Sequence, residues 1–178
     1  MQQLFLSSKI TVPKVAPSFI ERTAINRLLG MNHLKRCTIL RAPAGYGKTS
    51  VLNAWLQQKG EPVAWVSLDA ADNDFVRFWL YVATSVANAT NCELGAQQQA
   101  LIQAKDSATF QFFLHAFIEE LREQPQPIHI VLDDYHVITE QKIHLFMKQL
   151  IEYLPEHVHV YMTTRTELPL PIAKWRVQ

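Results

Sequence analysis

Cysteine is scarce in this 178-residue sequence, which has only Cys37 and Cys92. The two thiols form no metal or redox motif. No disulfide framework is expected, and both read as reduced thiols in or near the core. A basic surplus is also missing. Lys plus Arg number 17 against 16 Asp plus Glu, for a formal net charge of +1. This piece therefore has no electrostatic footprint for gripping nucleic acid by itself. No apolar run reaches the roughly 20 residues that a membrane helix needs. The N-terminus, Met1 to Leu6, lacks the charged n-region and long apolar h-region of a secretory signal. No internal repeat is visible, and Gln97-Gln98-Gln99 is the one biased tract. These absences point to the cytoplasm and away from a membrane.

What remains is ordinary globular material of about one domain's length, 48% hydrophobic and 19% charged, with enough apolar residues for a sizeable core. Within it one stretch organises the rest: Arg41-Ala42-Pro43-Ala44-Gly45-Tyr46-Gly47-Lys48-Thr49-Ser50. The apolar run Cys37 to Leu40 leads in, and a helix-like run from Ser50 to Leu56 leads out. Strand, loop and helix in that order are the context of a phosphate-binding P-loop. Gly45 and Gly47 let the backbone turn tightly and aim N–H groups inward. The helix that follows begins with unpaired N–H groups and partial positive charge. Lys48 would add a full charge near the β- and γ-phosphates, and the Thr49 hydroxyl would ligate Mg²⁺. Ala44, Gly45, Tyr46, Gly47, Lys48, Thr49 and Ser50 are the candidate nucleotide-binding residues. The first glycine of the usual pattern is replaced by Ala42, which is tolerable where the local φ is negative.

A second constellation lies far downstream. Ile128-His129-Ile130-Val131-Leu132 runs straight into Asp133-Asp134. A near-continuous apolar strand is what a parallel sheet covered on both faces demands, and acids at its C-terminal end sit where such sheets bind ligands. Read as a Walker B strand, Asp133 holds Mg²⁺ through water and Asp134 orients or activates the attacking water. A further strand from Val158 ends in Thr163-Thr164-Arg165, where Thr164 and Arg165 are expected to lie within reach of a γ-phosphate and Arg165 can stabilise charge developing in phosphoryl transfer.

Between these motifs the pattern is regular. Residues 1–18, with Pro13 and Pro17, read as an extended arm, and residues 19–178 as the nucleotide-binding domain. A helix opening at Ile20-Glu21-Arg22 puts Ile25, Leu28 and Leu29 on one face. It either covers the nucleotide base or packs on the sheet edge. Val63 to Leu68 reads as a strand closed by Asp69. A helix from about Asp74 then carries Phe75, Phe78, Trp79, Val82 and Val86 as a stripe. Asp69, Asp72 and Asp74 are expected to end that strand and cap that helix. Residues 91–106 read as loop or short exposed helix. Ser107 is expected to cap a helix that buries Phe110, Phe113, Leu114, Phe117 and Leu121. A helix over about 140–153 carries Ile143, Phe146, Met147 and Leu150. His157 and His159 share a strand face, with no third ligand at zinc spacing.

Together, Ala42 to Thr49, Trp65-Val66-Ser67-Leu68-Asp69, Asp72-Asn73-Asp74 with Arg77-Phe78, and Val131-Leu132-Asp133-Asp134-Tyr135-His136 resemble one family. It is the MalT-like, LuxR-type ATP-dependent transcriptional regulators of the STAND class of P-loop ATPases. The resemblance runs from about Leu6 to the end. It implies a three-layer α/β P-loop NTPase fold, with a mainly parallel sheet, helices on both faces, and the Arg165 strand between the P-loop and Walker B strands. It implies an ATP/ADP switch with Mg²⁺ and slow, resetting hydrolysis. It also implies self-association of the active full-length protein. Promoter DNA and RNA polymerase would be engaged through regions outside this chain, which would stop before the domain's last strand. Two rivals share the motifs. A small-molecule kinase would need an arginine-rich lid, yet residues 91–106 hold one lysine and no arginine. A non-hydrolysing interaction module would be expected to have lost Lys48, Thr49 or Asp133.

Overall fold

The computed structural model describes residues 6–16, 19–32, 35–92 and 107–175. Four strands, β1 (Cys37–Arg41), β2 (Val63–Ser67), β3 (Ile128–Asp133) and β4 (Val158–Thr164), form one sheet in the order β1-β4-β3-β2. Every pairing is parallel, with Thr38 opposite Tyr161, Ile130 opposite Val160, and Trp65 opposite Val131. β4 therefore separates the P-loop strand from the Asp133 strand, as expected. All residues of β3 and β4 are buried. That is why those two segments read as continuous apolar runs: both faces of a central parallel strand need cover.

The side chains of each strand divide by period two between two helical layers. Trp65, Val131 and Tyr161 face Val51, Leu52, Trp55 and Leu56 of α2 (Lys48–Lys59) and Leu29 of α1 (Thr23–Met31). On the opposite face, Val66, Ile130, Leu132, Val160 and Met162 meet α3 (Phe75–Thr90), α4 (Ser107–Glu123) and α5 (Gln141–Tyr153). The aromatic stripe of α4 is core as read: Phe110, Phe113, Leu114, Phe117 and Leu121 are all buried, and so are Ile143, Phe146, Met147 and Leu150 of α5. A short helix, α6 (Ile172–Trp175), closes the described chain.

Some expectations need correction. Helix α1 begins at Thr23, not Ile20, and Leu28 is 57% exposed whereas Leu29 is buried. Only one narrow stripe of this two-to-three-turn helix touches the sheet layer. Leu29, four residues after Ile25, takes the inward place and turns Leu28 to solvent. The arm is not uniformly extended. Ser7–Ile10 forms a 3₁₀ turn that packs against β2 and α3. Ile10 joins the α3 side of the core and Val12 the α2 side, where Asn53 Nδ2 donates to the Pro13 carbonyl. The arm thus crosses edge strand β2 from one layer to the other and covers an edge that would otherwise offer unpaired backbone groups. The readings made for residues 93–106, and for Pro17, lie outside the described residues.

The acids after β2 divide their work differently from expectation. Asp74 caps α3 by accepting from the Arg77 N–H at 2.8 Å, as read. Asp69 and Asp72 form a reciprocal capping box around the turn Ala70–Asn73. Asp72, however, is fully buried. It pairs with Lys9 of the arm and with Arg77 Nε at 3.1 Å. A carboxylate can be buried only with such partners, and Lys9 lies 63 residues away in sequence. Among the described residues no group of three or more acids, histidines or cysteines is placed to hold a metal.

His129, His144, His157 and His159 are packing residues. His159 stacks on His129 with ring centroids 5.6 Å apart, and His157 Nε2 bonds the Leu121 carbonyl at 3.0 Å. His129 Nε2 lies 2.6 Å from Glu61 Oε2, while burial holds its pKa below the ordinary value against the pull of that carboxylate. Burial also lowers His144, which meets the Tyr135 hydroxyl at 2.9 Å. Both rings thus take up protons less readily in the fold than in the unfolded chain, where histidine titrates near 6.5. Their contribution to stability is present above about pH 6.5 and is lost as pH falls below it. Thermal unfolding should therefore show stability dropping between pH 7 and 5 by up to about 1.4 kcal/mol per pH unit for each proton. A double variant, His129→Gln with His144→Gln, should flatten that slope; an unchanged slope would assign it to other groups.

Candidate nucleotide site

The loop between β1 and α2 has the backbone that its sequence requires. Gly45 and Gly47 have φ of 79° and 73°, a region that L side chains enter only with strain. Among the described residues the non-glycine positions with positive φ are Asn91 and Asp134, so Ala42 sits at negative φ, where alanine is unstrained. Ala42 N–H donates to the Thr164 carbonyl at 3.2 Å, tying the loop's root to β4. The N–H groups of Gly45 and Gly47 lie at the two positive-φ positions of the loop, after a hydrogen-bonded turn at Ala44-Gly45. These donors, and the unpaired first turn of the 12-residue helix α2 behind them, make a cradle fitted to an anion.

Lys48 Nζ is folded back on the loop's own carbonyls, Ala42 O at 2.8 Å and Pro43 O at 3.0 Å. Thr49 Oγ1 donates to Asp133 Oδ1 at 2.9 Å, across 84 residues of sequence. The hydroxyl and carboxylate that the sequence assigned to Mg²⁺ are thus in direct contact. Both are hard oxygen donors of the kind that cation takes. Thr163 Oγ1 donates to the same Asp133 oxygen at 2.6 Å and accepts the Asp134 N–H at 2.8 Å. Burial pushes the Asp133 carboxyl above its ordinary range. The Thr163 and Thr49 hydrogen bonds oppose that shift, Asp134 reinforces it, and Lys48 lies near enough to draw it down. A carboxyl so balanced responds to any cation that arrives beside it.

Asp134 adopts the left-handed conformation, φ 58°. Aspartate tolerates it better than most residues, at a cost of order 1 kcal/mol. The turn aims the Asp134 carboxylate toward Arg165 Nε at 3.8 Å and His136 Nδ1 at 3.6 Å. Both Arg165 and Asp134 are more than a third exposed, so their attraction adds little stability. Tyr46 in the loop and Ser50 in the first turn of α2 are both exposed.

Sequence reasoning passed over two residues here. Thr163 links both acids to β4, but nothing in a Thr-Thr dipeptide tells which hydroxyl faces the neighbouring strand. Arg22 stands just before α1, and its Nη2 would lie 3.8 Å from a Cβ placed on Gly47. The only sequence signal for it was a charged residue opening the segment before the P-loop.

The parallel order, the glycine loop and the acid-ended strand one place removed from the loop's own strand define a P-loop ATPase fold of the α/β class. The crystal structure of Cdc6p from Pyrobaculum aerophilum shares that fold, with TM-score 0.56, 14% identity, and coverage of 92% of this chain and 46% of that one. Among curated proteins, the chain is similar to the HTH-type transcriptional regulator MalT of Vibrio parahaemolyticus, at 33% identity over 175 residues. The MalT of Serratia proteamaculans is 32% identical over 177 residues. Each match takes in 98% of this chain and 19% of the relative, so the chain spans about a fifth of the length of these regulators. No family model matches. No described helix is long and apolar enough to cross a membrane.

Proposed function

We propose that this chain is the ATP/ADP-binding switch domain of a MalT-like transcriptional regulator, with residues 1–18 as its arm and 19–178 as the nucleotide-binding body. The contact between Thr49 and Asp133, beside a glycine loop bent by two positive-φ residues, carries this reading. Ala44 to Ser50 bind the phosphates, with Lys48 leaving the loop carbonyls for the β- and γ-oxygens. Thr49 and Asp133 would hold Mg²⁺, which supplies charge neutralisation at those phosphates. Asp134 orients the attacking water and Arg165 attends the γ-phosphate. Hydrolysis is slow and resets the switch. ADP holds the resting form. ATP with inducer favours self-association, and promoter DNA and RNA polymerase are met by other parts of a cytoplasmic protein.

Mg-nucleotide at a hundred times its dissociation constant should stabilise the fold by about 2.7 kcal/mol. No thermal shift with either ATP or ADP would count against the whole reading. Asp134→Ala in the full-length protein should leave the nucleotide dissociation constant within about threefold and lower turnover by at least a hundredfold, the scale of general-base loss. Unchanged turnover would remove Asp134 from the chemistry.

A further inference from the structure

Asn73 lies in the turn after β2, outside the loop and acids assigned to the phosphates. Its side chain is nonetheless saturated with hydrogen bonds. Nδ2 donates to the Ala70 carbonyl at 3.1 Å and to the Val137 carbonyl at 2.8 Å. Oδ1 accepts from Thr139 N–H at 2.6 Å, from Glu140 N–H at 3.1 Å and from Thr139 Oγ1 at 3.1 Å. One amide thus grips both ends of the link between the turn Tyr135–Val137 and α5, more than 60 residues away in sequence. A capping role for its own turn would need only the Ala70 bond.

That link governs Asp134. The turn Tyr135–Val137 begins at Asp134, and the Val137 N–H donates to the Asp134 carbonyl at 3.1 Å. Asp134 holds a left-handed backbone that an L residue keeps only where its surroundings over-determine it. Thr163 fixes the Asp134 N–H from one side. The buried Tyr135, bonded to His144, fixes the turn to α5. Asn73 fixes the turn's far end to the loop after β2. That loop is itself anchored through Asp72 to Lys9 and Arg77.

We propose that Asn73 is a positioning residue of the phosphate site, holding Val137–Glu140 so that Asp134 keeps the conformation its task requires. The proposal deepens the ATPase reading and rests on it for its catalytic consequence, though not for its structural one. Asn73→Ala removes all five bonds. Asn73→Asp keeps the acceptor toward Thr139 and Glu140 and loses the two donors.

Hydrogen exchange in the full-length protein tests the structural half without nucleotide. Asn73→Ala should speed amide exchange of Asp134 to Glu140 at least tenfold, with β3 and β4 amides unchanged and Asn73→Asp in between. Unchanged exchange in that segment overturns the proposal, whatever the protein's activity. Steady-state ATP hydrolysis tests the catalytic half. Asn73→Ala should lower kcat at least tenfold while KM stays within twofold, and Asn73→Asp should recover part of kcat. Loss of kcat in step with loss of folded protein, without recovery in Asn73→Asp, would make Asn73 a structural residue only. If the Asn73 variants show the exchange pattern but the wild type shows no hydrolysis, the ATPase reading fails while the clamp on the Asp134 segment stands.

Discussion

Replacing Lys48 with alanine should abolish the stabilisation by Mg-ATP or Mg-ADP. At a hundred times the wild-type dissociation constant the loss is about 2.7 kcal/mol, or about 5–11 °C in Tm at 2–4 °C per kcal/mol for a domain of this size. The cause is specific. Lys48 is the one full positive charge on the loop from Ala42 to Ser50, and only two backbone carbonyls hold it in place. Those bonds are replaceable, so the nucleotide-free variant should lie within about 1 kcal/mol of wild type. Differential scanning fluorimetry with and without nucleotide separates the two effects. A Lys48→Ala variant that still shifts by several degrees would mean that nucleotide binds elsewhere.

The second large effect concerns Asp72. Removing it strips the shared partner from Lys9, itself nearly buried, and from Arg77, and breaks the capping box with Asp69. Breaking a buried ion pair from one side costs about 3–5 kcal/mol. Asp72→Ala should therefore cost about 3 kcal/mol, because Lys9 keeps Asp69 at 2.8 Å as a second partner. Lys9→Met should cost less, and the double variant less than the sum, with a coupling above about 1 kcal/mol. Additive losses would show that the arm and the β2 loop stand independently.

These two residues also mark how much of the molecule the sequence made legible. Lys48 could be read because a P-loop is local: its strand, turn and helix are contiguous, and Gly45 and Gly47 announce positive φ. β3 could be read because a strand buried on both faces is apolar apart from His129 until it ends, so Asp133 stands out. The stripes of α3, α4 and α5 repeat at helical spacing and pack as that spacing implies. Asp72 was legible only as one of three acids after a strand. Its burial depends on Lys9, and no periodicity links residues 63 apart. Leu28 and Leu29 are equally apolar, and only the angle of α1 to the sheet chooses between them. Thr163 and Asn73 act through hydrogen bonds that span 30 and more than 60 residues. Such polar contacts are specified by the assembled topology and leave no pattern along the chain.

The central claim is that two distant segments of chain converge on one Mg-nucleotide. Calorimetric titration of the protein with ADP in the presence of Mg²⁺ tests it most directly. One nucleotide per chain should bind, with affinity lost in Lys48→Ala and weakened at least tenfold in Asp133→Ala or when Mg²⁺ is chelated. Saturable binding that is indifferent to Asp133, Lys48 and Mg²⁺ alike would contradict it.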